Sequence, residues 1–421
     1  MELIAQYETV ILVLAILFGM FMTWGIGAND VANAMGTSVG SGAISVRQAI
    51  VIAAIFEFLG AFLAGGHVTS TIRKGIINPT LVMDDPSILV LGMLASLLAA
   101  ALWLLIASTR GWPVSTTHSI VGAIVGFAIA GIGVDSVHWE KIGQIITSWV
   151  VSPVLGGALS FVLMISIRRL ILNTDAPFER AKKWSPIYVF LAGFVISLVT
   201  IFKGLKHLRL ELTVPMSFAV AFAFGLLLAG ISWPLIRKVR VDPDADHVFQ
   251  YASVEKVFAP LMLFAAAAMA FAHGSNDVAN GIGPLAAVVS IINSGGEVTQ
   301  KAGLPVWILV LGGVGIVLGL ATMGYRVIQT IGTSITALTP SRAYCATLAA
   351  AATVVLASRT GMPVSTTHIA VGAVIGVGLA RGVGAIDLRV IGGIIVSWVL
   401  TLPIGGVLAA LIFFTLKGML S

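Results

Sequence analysis

Two stretches of the chain set a carboxylate among amides within otherwise apolar sequence. Residues 27 to 33 read GANDVAN and carry Asn29, Asp30 and Asn33; residues 274 to 280 read GSNDVAN and carry Asn276, Asp277 and Asn280. A carboxylate near the centre of a bilayer costs about 2.5 to 3.5 kcal/mol on insertion scales, so each Asp needs a compensating partner. Within each motif the two Asn, four residues apart, share one helix face, with the Asp one step round. Gly25, Gly27 and Gly274 beside the motifs predict an unwound turn, where backbone carbonyls join the side-chain oxygens. Hard oxygen donors of this kind suit an alkali or hard divalent cation and not zinc or copper. The alternative is that Asn and Asp cap the ends of broken helices.

A second pair has the opposite character. GWPVSTTHSIVGAIVG at 111 to 126 returns as GMPVSTTHIAVGAVIG at 361 to 376. Pro113 and Pro363 suit a first helical turn and not a helix interior, so Val114 to His118 and Val364 to His368 read as half-helix starts. A helix N-terminus presents unpaired N–H groups and the positive end of a dipole, to which Ser115, Thr116, Thr117, Ser365, Thr366 and Thr367 add hydroxyls. Two such ends facing each other can surround a tetrahedral oxyanion. Ordinary capping by Ser and Thr satisfies the same atoms, but does not call for three hydroxyls twice. Three further residues are accessory candidates. His118 and His368 can titrate, donate to the anion or serve as structural hydrogen-bonders. Glu57, in mid-run with an apolar counterpart in the second copy, can bind a cation, carry a proton or pair with Arg73 or Lys74.

The chain is 58% hydrophobic and 10% charged, with a mean hydropathy of +1.04. That composition is of a polytopic membrane protein. Runs of roughly 20 apolar residues mark helical spans, and about twelve occur: 7–28, 46–66, 86–109, 117–134, 140–170, 185–203, 214–236, 253–275, 304–325, 340–358, 367–382 and 387–415. They are continuous, without the period-2 alternation of a barrel, so the fold is all-helical. The first run lacks a basic start and a cleavage site and reads as a retained span. Cys345, the single cysteine, forms no intramolecular disulfide and reads as a packing residue. The net charge of +6 reflects topology and signals no nucleic-acid partner: nine of 24 basic residues fall on the side of the N-terminus and fifteen on the other, which puts both termini outside the cytoplasm.

The motifs recur at offsets of 247 and 250, and SWVVSPVLGGAL at 148 to 159 recurs as SWVLTLPIGGVL at an offset of 249. This is an internal duplication: residues 1–172 form a first repeat, 173–252 two linking spans and a short loop, and 253–421 a second repeat. Seven segments precede the second copy, so it enters the membrane inverted, whether the PVSTTH segments span or re-enter. Inverted repeats with a midplane site are the architecture of many secondary transporters. No P-loop occurs, which leaves an ion gradient as the energy source, and a catalytic triad gains nothing from an inverted duplicate, so the chain reads as no enzyme.

GANDVANAMG, GSNDVANGIG and the two PVSTTH stretches resemble the signatures of the inorganic phosphate transporter family, PiT, over most of the chain. The resemblance implies uptake of inorganic phosphate across the cell membrane driven by sodium or protons, termini outside, and a homodimer. It also implies that the Asn, Asp, Ser and Thr positions surround substrate and ions, with no cofactor beyond co-transported sodium. Proton-coupled metal-phosphate symport, sulfate transport and an anion channel are the rival readings. Oxygen-rich sites with four neutral Asn favour sodium, because proton carriage needs only the carboxylates. The short polar loop near 237 to 252 replaces the large insertion of longer members.

Overall fold

The computed structural model describes residues 2–78, 81, 85–201, 212–241, 251–298, 304–328, 335–359 and 361–420. Fourteen α-helices of the described residues carry the fold. They are α1 (Glu2–Gln6), α2 (Glu8–Gly40), α3 (Val46–Ala64), α4 (Gly66–Lys74), α5 (Pro86–Thr109), α6 (Thr116–Gly131) and α7 (Trp139–Ile167). After them come α8 (Pro177–Val199), α9 (Val214–Arg237), α10 (Ala252–Asn293), α11 (Val306–Thr322), α12 (Pro340–Arg359), α13 (Thr366–Arg381) and α14 (Leu388–Leu420). Among the described residues each of the twelve apolar runs overlaps one of these helices. Among the described residues, seven are long and apolar enough to cross a membrane: α2, α3, α5, α7 with its following π-turn, α9, α10 and α14. α6, α11 and α13 are apolar but shorter. The chain is an all-helical, multi-pass membrane protein.

Local chemistry sets the helix starts. Ser45 and Gln48 form a capping box on α3, and Asp85 accepts from the Ser87 N–H ahead of α5. α12 is capped from outside: the Glu255 carboxylate of α10 accepts from the Ser341 N–H at 2.7 Å and its hydroxyl at 2.8 Å. Short α4, too polar to register as an apolar run, packs against α10 and ties to the second PVSTTH loop, Thr71 Oγ1 donating to the Gly361 carbonyl at 2.7 Å.

The long helices correct one expectation. α2 has 33 residues and α10 has 42, about 50 and 63 Å at 1.5 Å per residue, so the NDVAN motifs lie inside unbroken helices. There is no unwound turn, and the backbone carbonyls there stay in the helical ladder. Gly27 and Gly274 serve close packing instead: a Cβ on Gly27 would strike the Ile316 backbone of α11, and one on Gly274 the Glu57 backbone of α3. The prolines of PVSTTH also sit differently. α6 and α13 begin at Thr116 and Thr366 with Ser115 and Ser365 as extended N-caps, so Pro113 and Pro363 lie two residues before the cap and not in the first turn.

Packing crosses between the two duplicated segments. α13 lies along α7 and α14 along α6, through glycine-lined contacts such as Gly372 against Pro153 and Gly126 against Gly406. α10 lies along α3 and α11 along α2 in the same exchanged manner. α8 and α9 pack on each other, α8 also contacts α10, and α9 exposes most of its apolar surface.

Candidate functional site

The two N-terminal ends of α6 and α13 meet, and α2 and α10 bring their acidic motifs to the same place. Ser115 Oγ accepts from the His118 N–H and Ser365 Oγ from the His368 N–H, both at 3.2 Å, so each Ser caps its own helix. The Ser115 and Ser365 carbonyls take the N–H groups of Ser119 and Ile369. That leaves the N–H groups of Thr116, Thr117, Thr366 and Thr367 as the donors of these first turns.

The threonines knit the two ends together. Thr117 Oγ1 donates to the Val364 carbonyl at 3.0 Å and Thr367 Oγ1 to the Val114 carbonyl at 3.3 Å, each reaching into the other copy's loop. Thr116 Oγ1 donates to Asp30 Oδ2 and Thr366 Oγ1 to Asp277 Oδ2, both at 2.6 Å. The second Asn of each motif crosses over. Asn33 Nδ2 donates to Thr367 Oγ1 at 2.9 Å and Asn280 Nδ2 to Thr117 Oγ1 at 3.1 Å. The first Asn of each motif holds a loop. Asn29 donates to Ser108 Oγ and the Trp112 carbonyl and accepts from the Val114 N–H; Asn276 donates to the Val364 carbonyl and to Asp277 Oδ1.

One residue that the motif reading passed over completes the centre. His273, immediately before GSNDVAN and fully buried, sets Nε2 3.0 Å from Asp277 Oδ2 and 3.9 Å from Asp30 Oδ2, with Nδ1 3.2 Å from Glu57 Oε1. Ligand atoms of Asp30, His273 and Asp277 all lie within 4.8 Å of one another. Its position corresponds to Ile26 in the first copy, so a search for what recurs discards it; an ionisable residue in an apolar helix was the signal that could have found it. Glu57 therefore faces His273, while the side chains of Arg73 and Lys74 lie outside the described residues.

His118 and His368, next along α6 and α13, make contacts of their own. Nδ1 of His118 faces the Trp398 carbonyl and Nδ1 of His368 the Trp149 carbonyl, each at 3.2 Å. A carbonyl only accepts, so each Nδ1 is the protonated nitrogen. The Trp149 carbonyl has lost its helical donor because Pro153, four residues on, has no N–H. The His118 ring lies tilted on Trp149 at a centroid separation of 3.8 Å and the His368 ring stacks on Trp398 at 3.6 Å, while the two imidazoles meet edge to face at 4.5 Å. Cys345 is free and buried in α12, away from these groups.

The arrangement offers neutral N–H and hydroxyl donors at one point and three buried carboxylates beside it. Asp30 Oδ1, Asn33 Oδ1 and Asn280 Oδ1 are buried without a hydrogen-bond partner among the described residues. Unsatisfied oxygens in a dry interior are costly unless a cation or donor joins them.

Comparison with known proteins agrees with this chemistry. Residues 26–409 match the model of the phosphate transporter family. The chain is 50% identical over 417 residues to a putative phosphate permease of Haemophilus influenzae, covering 99% of each chain. It is 41% identical over 413 residues to inorganic phosphate transporter 2-1, chloroplastic, of Arabidopsis thaliana, covering 94% of this chain and 70% of that one. A solved structure titled the sodium-dependent phosphate transporter superposes with a TM-score of 0.88 at 42% identity, covering 97% of this chain and 99% of the other. The family and these relatives are transporters or permeases and not enzymes, and the chain belongs to the phosphate transporter family.

Proposed function

We propose that this protein is a symporter that imports inorganic phosphate with sodium by alternating access. Phosphate is held between the N-termini of α6 and α13, at residues 115 to 117 and 365 to 367. Sodium is held by the carboxylate and amide oxygens of the two NDVAN segments. The observation that carries this reading is the junction itself: Thr116 and Thr366 each join an anion-binding helix end to a buried carboxylate through a 2.6 Å hydrogen bond. An anion placed there meets negative charge unless a cation arrives with it, so each ligand favours the other's binding. The reciprocal contacts support two inverted repeats; twelve crossings follow from the twelve apolar runs, and both termini outside the cytoplasm from the basic residues of the loops. The cell membrane and a homodimer complete the reading.

The coupling ion is assigned on oxygen chemistry. Partnerless amide oxygens on Asn33 and Asn280 suit sodium and have no use in carrying a proton, and the similar solved structure is titled sodium-dependent. The test is labelled-phosphate uptake by the purified protein in proteoliposomes, with an inward sodium gradient at equal pH or an inward proton gradient without sodium. Accumulation with sodium alone is the expected result; accumulation with protons alone would reassign Asp30, Asp277 or Glu57 as proton carriers. Passive equilibration in both would move the anion-channel reading to the front.

A further inference from the structure

Four arginines that take no part in the centre gather at one end of an apolar cleft. The cleft, about 380 Å³, lies between α5, α14 and the first PVSTTH loop, with Trp103, Trp112, Ile335, Val390, Val396 and Leu400 among its walls. Trp103 and Ser397 spend their polar atoms elsewhere: Trp103 Nε1 donates to Thr401 Oγ1 at 3.3 Å and the Ser397 hydroxyl to the Ile394 carbonyl at 2.7 Å. Val396 is 57% exposed and Leu400 50%, so the cleft opens on the outer face of the helices, where a membrane protein meets acyl chains.

The charge comes from the helix ends around it. Arg389 directly precedes Val390 at the start of α14, and the Arg110 guanidinium lies over the Trp112 ring at 5.1 Å. From the last turn of α13, Arg381 Nη1 donates to Thr336 Oγ1 at 3.3 Å and to the Ala337 carbonyl at 3.2 Å, on the two residues that follow Ile335. Arg342 Nη1, in the first turn of α12, donates to the same carbonyl at 3.1 Å, so two guanidinium groups share one acceptor. None of the four arginines forms an ion pair among the described residues. The carboxylates beside them are held by backbone: Asp387 Oδ1 accepts from the Arg389 and Val390 N–H groups, and Glu255 from that of Ser341. A face turned only to water would carry this charge without the apolar cleft.

We infer that the cleft is a binding site for an acidic phospholipid. An acyl chain lies between α5 and α14 against Trp112, and the arginines at the mouth meet the headgroup phosphate, whose oxygens match the guanidinium fork. On the topology proposed above this end faces the cytoplasm, so the lipid belongs to that leaflet. One wall of the cleft is the loop that leads into α6. Asn29 holds that loop by the Trp112 carbonyl and the Val114 N–H, and a lipid in the cleft braces it from the other side.

The test uses the purified, delipidated protein in detergent, given phosphatidylglycerol or phosphatidylcholine with the same acyl chains. Native mass spectrometry reads the lipid retained and thermal unfolding reads the bracing; neither depends on the transported ion. The wild type is expected to retain phosphatidylglycerol over phosphatidylcholine and to melt higher with it. Arg381→Gln with Arg389→Gln should weaken that retention about thirty-fold, from the usual worth of two basic residues at a membrane surface. Gly393 lines the cleft and a side chain there meets nothing within 4 Å, so Gly393→Phe should fill the cleft and abolish the preference. Gly392→Phe, equally open but off the cleft, should keep it. If Gly393→Phe does not fold, Val396→Trp narrows the same cleft and takes its place. Equal retention of the two lipids by the wild type, or unchanged retention of phosphatidylglycerol in either the arginine pair or the cleft-filling variant, overturns the site. Displacement of the lipid by an equal concentration of glycerophosphoglycerol, the headgroup without chains, would make it a plain anion site and overturn the lipid assignment.

Discussion

Replacing Asp30 by Asn removes one unit of negative charge while keeping the shape and the acceptor for Thr116. The Thr116 hydroxyl stands 2.6 Å from Asp30 Oδ2. An anion oxygen one further hydrogen bond away, about 2.8 Å, lies about 5 Å from the carboxylate. At an effective dielectric constant of about 20, two unit charges at that distance repel by about 3.3 kcal/mol. That is about two decades of affinity, and relaxation around a polar site will return part of it. Phosphate binding measured by calorimetry in potassium buffer without sodium should therefore be tighter in Asp30→Asn than in the wild type, by about ten-fold or more. The same variant should bind no better when sodium is added and should lose concentrative uptake. The gain in binding and the loss of pumping have one cause, the removal of the charge that makes phosphate depend on a cation. A variant that binds phosphate in potassium no better than the wild type would refute the electrostatic argument.

Gly27→Ala puts a methyl group into the Ile316 backbone and should lower stability by about 1 to 3 kcal/mol, whereas Gly143→Ala, with nothing within 4 Å, should not; thermal unfolding in detergent separates them. His368→Phe keeps the stacking on Trp398 but strips the Trp149 carbonyl of its donor. A cost of about 1 to 3 kcal/mol should appear as a lower melting temperature, and an unchanged one would deny the hydrogen bond any weight. Asn33→Ala and Thr367→Ala remove two ends of one 2.9 Å bond between the copies. Their double-mutant cycle for phosphate binding should show a coupling of about 0.5 to 3 kcal/mol, and strict additivity would mean the bond is absent in the bound state.

Most of the site was legible because it is written twice. The recurrence of NDVAN and PVSTTH selected Asn33, Asp30, Thr116, Thr117 and their counterparts, and all of these converge. What recurrence cannot show is where the copies differ, and His273 was passed over because Ile26 holds its place in the first copy. Glycine misled for a related reason. Beside an acidic motif it reads as a break, yet at Gly27 and Gly274 it lets two helices touch, and only the partner's position separates the two uses. The displaced prolines have a local cause: an extended Pro-Val pair leaves the following Ser at the cap, where its oxygen reaches the N–H three residues on. The even spread of apolar residues round each helix hid which faces pack, since a membrane helix is apolar on both its lipid and its protein sides.

The kinds of charge in the centre bear on coupling more than their number does. The groups proposed to face the anion are backbone N–H and hydroxyl donors, and the two nearby histidines spend their Nδ1 protons on tryptophan carbonyls. No Lys or Arg of the described residues joins the site's hydrogen bonds or ion pairs; Arg110, beyond the first loop, lies over the Trp112 ring at 5.1 Å. Among the described residues His273 is the imidazole set against the carboxylates, between Glu57 and Asp277. A buried arginine here would supply a permanent countercharge, and phosphate would then bind whether or not a cation were present. With neutral donors beside carboxylates, the proposed symport draws its countercharge from solution each time. On the proposed reading the obligation to load a cation with the anion follows from the absence of Lys and Arg from the site among the described residues, and a Lys or Arg introduced at the helix ends should weaken coupling while strengthening binding.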